Sequence, residues 1–117
     1  MSLSLQMDYS HQVLIVRLAG ELDHHHAEKV RTSIETELDK GEVQHLVLNL
    51  ARLEFMDSSG LGVILGRYKK VSQLGGKMIL CSIQPSVYRL MEMSGLFKIL
   101  PTYESEKHAI SACGVAS

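Results

Sequence analysis

The residues best suited to chemistry in this sequence are Asp57, Ser58 and Ser59, which stand together before Gly60. They follow an apolar run typical of a buried strand, residues 46–50, and precede apolar residues at helical spacing. Side-chain oxygens in this place accept hydrogen bonds from the free backbone N–H groups that begin a helix. The same N–H groups and the helix dipole attract anions. A serine here could therefore carry a phosphate group that the backbone partly solvates.

The same segment also has structural interpretations. Aspartate and serine ahead of a helix more often mark only a helix cap. Gly62 and Gly66 lie four residues apart in the helical pattern, a spacing typical of a helix packed closely against a neighbour. We therefore expect both glycines to be structural. The functional hypothesis depends on the hydroxyl and carboxylate groups gathered beside Gly60, where a partner could approach the backbone.

A second polar segment, Gly20-Glu21-Leu22-Asp23, follows an apolar strand and is predicted to be a loop. Asp23 is expected to cap the helix that follows and ends near Lys40. Residues 24–26 are all histidines, but adjacent side chains at a helix start point about 100° apart and cannot converge on one ion. No metal site is therefore predicted.

Apolar patterns predict the elements that position these segments. Alternation over residues 3–9 and a continuous apolar run over 13–18 predict an antiparallel hairpin. The remaining patterns predict helices over about 24–40, 61–74, 85–94 and 105–113, buried strands over 46–50 and 77–81, an edge strand over 96–100, and a loose tail over 114–117. This order is an α/β fold, with a mixed sheet of about four to five strands packed with about four α-helices. Sites in such folds gather at the carboxyl ends of strands, so Asp23 and Asp57 are expected at one end of the sheet.

Length and composition exclude several functional classes. The chain has 117 residues, of which 45% are hydrophobic and 21% charged, with a formal net charge of −1. This length predicts one domain over residues 1–117. Near-neutral charge and the absence of Trp argue against nucleic acid or an anionic membrane as a direct partner. No signal sequence is apparent and no apolar stretch approaches the ~20 residues that span a bilayer, so we expect a cytoplasmic protein.

The hydroxyl, carboxylate and imidazole groups match no catalytic motif. A triad needs a histidine between the serine and the carboxylate, yet Asp57 directly precedes Ser58. No Gly-x-Ser-x-Gly elbow occurs, and residues 60–62 are not followed by the Lys-Ser or Lys-Thr of a phosphate-binding loop. We therefore expect no catalytic residues, no enzyme activity and no cofactor. A module that binds a small ligand stays open, since helix termini bind anions readily.

Three segments together resemble the STAS domain family: Gly20-Glu-Leu-Asp23, Phe55-Met-Asp-Ser-Ser-Gly-Leu-Gly-Val63 and Met91-Glu-Met-Ser-Gly-Leu96. The resemblance covers about residues 3–113, the expected core of the domain. The Asp-Ser-Ser-Gly-Leu-Gly segment, in its strand-to-helix context, is the most specific of the three. Transporter-linked members of the family often lack the phosphorylatable serine, so its presence favours the regulatory branch found in endospore-forming bacteria.

This resemblance implies an anti-sigma factor antagonist. While unphosphorylated, such a protein binds an anti-sigma factor that is also an ATP-dependent serine kinase, and so releases a sporulation sigma factor. The kinase phosphorylates the first serine of the motif, here Ser58, which ends the interaction, and a serine phosphatase reverses it. The resemblance implies that the partner-binding residues are Glu21, Asp23, Asp57, Ser58, Ser59, Gly60 and Leu61.

Two alternatives stay open beside this one. An antagonist from a stress-response module would use the same phosphorylation switch with another kinase. A STAS module that binds a small ligand or a nucleotide would belong to a different functional class.

Overall fold

Residues 2–114, which the computed structural model describes, form a mixed α/β structure of five strands and four α-helices. In chain order these are β1 Leu3–Ser10, β2 Val13–Leu22, α1 Ala27–Asp39, β3 His45–Met56, α2 Ser58–Gln73, β4 Met78–Cys81, α3 Pro85–Met93, β5 Thr102–Tyr103 and α4 Glu106–Ala112. Residues 115–117 of the predicted tail lie outside this description. No helix within residues 2–114 combines the length and the apolar character needed to cross a membrane.

The sheet has the strand order β1-β2-β3-β4-β5. β1 and β2 form the predicted antiparallel hairpin, whereas β2, β3, β4 and β5 pair in parallel. The mixed sheet inferred from a hairpin followed by crossover units is therefore confirmed. Because β2 and β3 are parallel neighbours, their carboxyl ends lie side by side at one end of the sheet.

The two faces of the sheet carry different cores. On one face, alternate residues of β2 and β3, such as Leu14 and Leu48, pack against the buried stripes of α1, α2 and α3. On the other face, residues one position along, such as Ile15 and Val47, pack against α4. This separation follows from the two-residue period of a strand, which sends successive side chains to opposite faces. The continuous apolar runs in β2 and β3 therefore fit strands covered on both sides.

Both central strands extend beyond their predicted ends. β2 includes residues 20–22, which were predicted to be loop, and β3 continues from residue 50 to Met56. The first extension contains Gly20 and Glu21, and the second contains exposed residues at 51, 52, 54 and 55, so neither shows the continuous apolar run that marks a buried strand. Backbone pairing continues nevertheless, since Leu22 lies opposite Met56 at the end of the ladder. The ladder thus reaches the residue before Asp57.

The prediction of an edge strand over residues 96–100 is wrong. Leu96–Lys98 form a 3-10 turn, and the edge strand is β5, which follows Pro101. In this turn the side chain of Leu96 is buried and that of Lys98 is exposed. The turn therefore buries an apolar residue without any strand pairing. Apolar residues at short spacing do not distinguish these two structures.

Helix α4 is held to the sheet by a carboxylate with three donors. Nε and Nη2 of Arg17 donate to Glu106 over 2.9 and 2.8 Å, and Nδ2 of Asn49 donates over 2.7 Å. The hydrogen bonds from Arg17 hold the pKa of Glu106 below its ordinary value, although desolvation acts in the opposite direction. A carboxylate whose pKa is lowered on folding stabilises the protein above its unfolded pKa and loses that effect as it protonates.

We expect Glu106→Gln to lower the free energy of unfolding by about 1 kcal/mol at neutral pH, because the pair is only partly buried. The difference from the wild type should shrink as the pH is lowered from 7 through and below the ordinary carboxylate range, because the lowered pKa of Glu106 delays its protonation in the native state. Urea unfolding at several pH values measures it. Asp8→Asn is the matched control, because Asp8 contacts the same arginine at 3.4 Å from a far more exposed position. A Glu106→Gln effect that does not change with pH would contradict this account.

Candidate functional site

The two polar segments singled out in the sequence meet at the carboxyl ends of β2 and β3. The backbone N–H of Asp57 donates to the carbonyl of Leu22 over 3.4 Å. The backbone N–H of His24 donates to Oδ2 of Asp57 over 3.1 Å. The expected meeting of these segments at one end of the sheet is therefore confirmed, and a backbone bond and a side-chain bond hold them together.

Asp57 is the N-cap of α2. Its backbone is extended, and Oδ1 accepts hydrogen bonds from the N–H groups of Ser59 at 2.9 Å and Gly60 at 3.4 Å. The N–H of Ser59 is one of the donors that a helix leaves without an internal partner in its first turn, whereas the N–H of Gly60 also donates to the backbone carbonyl of Asp57 over 3.0 Å. Both carboxylate oxygens of Asp57 thus accept from backbone groups of this chain. Asp57 therefore holds the start of α2 and the turn after β2 in position relative to each other.

Ser58 is the first residue of α2 and is exposed to solvent. Ser59, the next residue, is partly buried. An enzyme that modifies a serine must reach its hydroxyl oxygen, so Ser58 is the more accessible acceptor of the two. Since Asp57 supplies the cap, the hydroxyl of Ser58 is not required to hold the helix start.

Asp23 stabilises the turn that follows β2 but does not cap α1, so the cap prediction is wrong. Its Oδ1 accepts from the backbone N–H groups of His25 at 3.0 Å and His26 at 3.2 Å, and from Nδ1 of His26 at 2.8 Å. α1 begins later, at Ala27. Desolvation raises the pKa of Asp23, but the hydrogen bonds and charge of His26 outweigh it and lower the pKa. Aspartate forms such local turns as readily as caps, which explains the error.

Glu21 and Leu61 complete the predicted set. Glu21 ends up beside Phe55 across the β2–β3 ladder, and its Oε1 is buried with no hydrogen-bond partner within residues 2–114. Leu61 is partly buried and packs against the main core, so only part of it is open to a partner.

The structure contradicts the close packing predicted at Gly62 and Gly66. A Cβ atom at either position would meet no other atom within 4 Å. The tight glycine is Gly60, where a Cβ would overlap the Met56 side chain and lie 2.9 Å from the carbonyl oxygen of Leu22. Glycine spacing locates a helix face, but it does not tell whether that face meets a neighbour or solvent.

The sequence interpretation missed two exposed apolar residues near the site. Phe55 lies two residues before the cap and is 49% exposed, and Leu65 lies on α2 and is 37% exposed. An exposed aromatic side chain beside the cap gives a partner protein apolar area to cover, and aromatic residues are enriched in protein interfaces. Phe55 breaks the buried pattern of β3, and this signal was present in the sequence. The site therefore combines an exposed hydroxyl, positioned carboxylates and exposed apolar area, which suits recognition.

Comparison with known protein families identifies the family of this chain. The STAS domain family model matches residues 4–109, nearly the whole chain. The chain therefore belongs to the STAS domain family.

One known protein and two solved structures are similar to this chain over nearly its whole length. The chain is 50% identical over its 117 residues to the anti-sigma F factor antagonist of Paenibacillus polymyxa, with all of both chains covered. Its structure is similar to that of the anti-sigma factor antagonist SpoIIAA in its unphosphorylated form, with 31% identity, a TM-score of 0.77 and 97% and 100% of the two chains covered. It is also similar to the Bacillus cell fate determinant SpoIIAA in the phosphorylated form, with 34% identity, a TM-score of 0.74 and 93% and 98% covered.

We expect Gly60→Ala to destabilise the protein by about 1–3 kcal/mol, because the new methyl group must displace Met56 or the carbonyl of Leu22. Gly62→Ala is the matched control on the same helix, and it should be neutral or stabilising by up to about 1 kcal/mol. Thermal and urea unfolding of the two variants measure the contrast. Equal effects would show that α2 does not depend on its close approach to the end of β2.

Ser58→Ala should change the free energy of unfolding by less than about 0.5 kcal/mol, since Ser58 is exposed and does not cap the helix. Asp57→Ala should lower it by about 1–2 kcal/mol, because the N–H of Ser59 loses its acceptor and that of Gly60 keeps only the backbone carbonyl of residue 57. Urea unfolding of the two single variants gives both numbers. The reverse order would assign the cap to Ser58.

Proposed function

We propose that this protein is an anti-sigma factor antagonist whose activity is switched by phosphorylation of Ser58. In its unphosphorylated form it binds an anti-sigma factor that is also an ATP-dependent serine kinase, and so releases a sporulation sigma factor. Phosphorylation ends the interaction, and a serine phosphatase restores the active form. The observation that carries the proposal is the exposed hydroxyl of Ser58, held on the first turn of α2 beside the Asp23 turn. Full-length similarity to an anti-sigma F factor antagonist supports it.

The proposed partner surface is the sheet end formed by both polar segments. It comprises Glu21, Asp23, Asp57, Ser58, Ser59, Gly60 and Leu61. Asp23 and Glu21 contribute negative charge to this surface, while Asp57, Ser59 and Gly60 hold the helix start in position. Phe55 and Leu65 extend this surface with exposed apolar area.

Electrostatics explain how one phosphate could end the interaction. Phosphorylation adds about −1.5 to −2 charges at neutral pH. A single partner carboxylate or nucleotide phosphate held ~5 Å from each added charge costs about 3 kcal/mol at an effective dielectric of ~20. Each 1.4 kcal/mol is about a tenfold change in affinity, so one such pair weakens binding on the order of a hundredfold.

Within the domain, the added charge meets opposing influences of similar size. The dipole and first-turn N–H groups of α2 favour it by about 0.3–2 kcal/mol, while the carboxylate of Asp57 opposes it. We therefore propose that phosphorylation leaves the overall fold in place. Both the unphosphorylated and the phosphorylated form of SpoIIAA share the fold of this chain, which supports this part of the proposal.

The proposed role requires no catalysis by this chain. ATP is a substrate of the partner kinase, and the chain contributes only the hydroxyl that accepts the phosphate. We propose a cytoplasmic regulator with no resident cofactor and no direct contact with nucleic acid or membrane, in keeping with its formal net charge of −1.

The proposal is tested with ATP and the candidate partner kinase, followed by mass spectrometry of the peptide that contains residues 45–70. We expect one phosphate on Ser58 of the wild type and none on Ser58→Ala. Ser59→Ala is the matched control and should accept phosphate at close to the wild-type rate. Partner affinity of the unphosphorylated Ser58→Ala variant should stay close to that of the wild type, because the substitution removes one hydroxyl from the proposed surface and leaves the fold intact.

Phosphate on Ser59 at the wild-type rate in the Ser58→Ala variant would show that the assigned serine is wrong. If the kinase neither binds nor phosphorylates the folded wild-type protein, the whole proposed function is overturned for that partner.

A further inference from the structure

The carboxylate of Asp57 connects the two halves of the site. Oδ1 accepts from Ser59 and Gly60 at the start of α2, while Oδ2 accepts from the N–H of His24 in the turn after β2. We propose that Asp57 is a positioning residue through which a phosphate on Ser58 acts on the turn of residues 23–26. The biological meaning of this coupling rests on the proposed function, but its test does not.

The three hydrogen bonds that Asp57 accepts all depend on the orientation of one carboxylate. Its rotamer places one oxygen over the first turn of α2 and the other against His24. A rotation that moves one oxygen away therefore moves the other as well. The turn itself is built around Asp23, whose Oδ1 binds the backbone of residues 25 and 26. The Asp57 carboxylate is thus the side-chain link between this turn and the start of α2, beside the backbone bond from Asp57 to Leu22.

A phosphate on Ser58 competes with Asp57 for the same donors. Ser58 directly follows the cap, so its phosphate oxygens can reach the first-turn N–H groups of Ser59 and Gly60. The phosphate has three strong acceptor oxygens and about twice the charge of a carboxylate at neutral pH. It also repels the carboxylate one residue away. Both effects favour displacement of Asp57 from the helix start.

Displacement of Asp57 removes the acceptor of the His24 N–H. The turn that carries Asp23 is then held to α2 less firmly, and the proposed partner surface loses the relative placement of its two segments. Phosphorylation would therefore weaken partner binding in two ways: directly by charge at Ser58, and indirectly by release of a turn that the phosphate does not touch. The strands and the remaining helices are not part of this coupling.

The test uses the full chain with phosphoserine installed at position 58 during translation, so that no kinase is needed. Amide hydrogen exchange and amide chemical shifts are compared with those of the unmodified protein. We expect exchange of the His24 N–H to accelerate about tenfold or more, since it loses a hydrogen bond to a charged acceptor. The amides of Ser59 and Gly60 should shift while remaining protected.

Phosphoserine at position 86 is the matched control. Ser86 is exposed in the first turn of α3, whose N-cap, Gln84, makes no side-chain capping bond. A phosphate there has the same charge and a similar helix position, yet it should leave the His24 amide unchanged. Acceleration of His24 exchange by both phosphates would overturn the proposal, because charge alone would then explain it.

Asp57→Asn tests the coupling residue. Its amide oxygen can still cap α2, but its NH2 group then faces the His24 N–H and cannot accept from it. His24 exchange should be fast before modification, and phosphoserine at position 58 should add less than about twofold. Unchanged His24 protection in the phosphorylated wild type would overturn the proposal, even if a kinase does phosphorylate Ser58. Absence of phosphorylation by any kinase would instead overturn the proposed function and leave the measured coupling intact.

Discussion

The close approach of α2 to the end of β2 determines where the site lies. Gly60 has no side chain to keep the helix away from the carbonyl of Leu22, and a methyl group there would lie 2.9 Å from that oxygen. The parallel pairing of β2 and β3 extends to Leu22 and Met56, so the chain arrives at Asp57 directly beside the turn after β2. The cap bond and the bond to His24 both follow from this placement.

The sequence predicted the parts of this arrangement that depend on local chemistry. Asp57 precedes an apolar helical pattern, so its capping role could be predicted before the structure was known. The alternation in β1 and the continuous apolar run in β2 predicted the hairpin, and parallel crossovers placed Asp23 and Asp57 at one end of the sheet. The family resemblance rested on the same segments, and the family match confirms it.

The remaining features depend on contacts between segments that are distant in sequence. The sequence does not distinguish the glycines at positions 60, 62 and 66. Of these three, only Gly60 lies against the backbone of strand β2. Asp23 could cap a helix or close a turn, and the imidazole of His26 provides the donor that favours the turn. The bond between His24 and Asp57 spans 33 residues and leaves no local pattern. Such features require the three-dimensional placement of both partners.

The hydrogen bonds inside the site also explain why a small modification could have a large effect. The oxygens of Asp57 already accept three backbone N–H groups of this chain, so the nearest donors are in use before any phosphate is added. A neutral Ser58 adds no charge to this surface, and a partner can cover it at little electrostatic cost. A phosphate in the same place takes N–H groups that until then compensated the Asp57 carboxylate, so two anionic groups depend on donors that served one. The uncompensated negative charge at the interface rises, and a buried charge without full compensation strongly opposes binding.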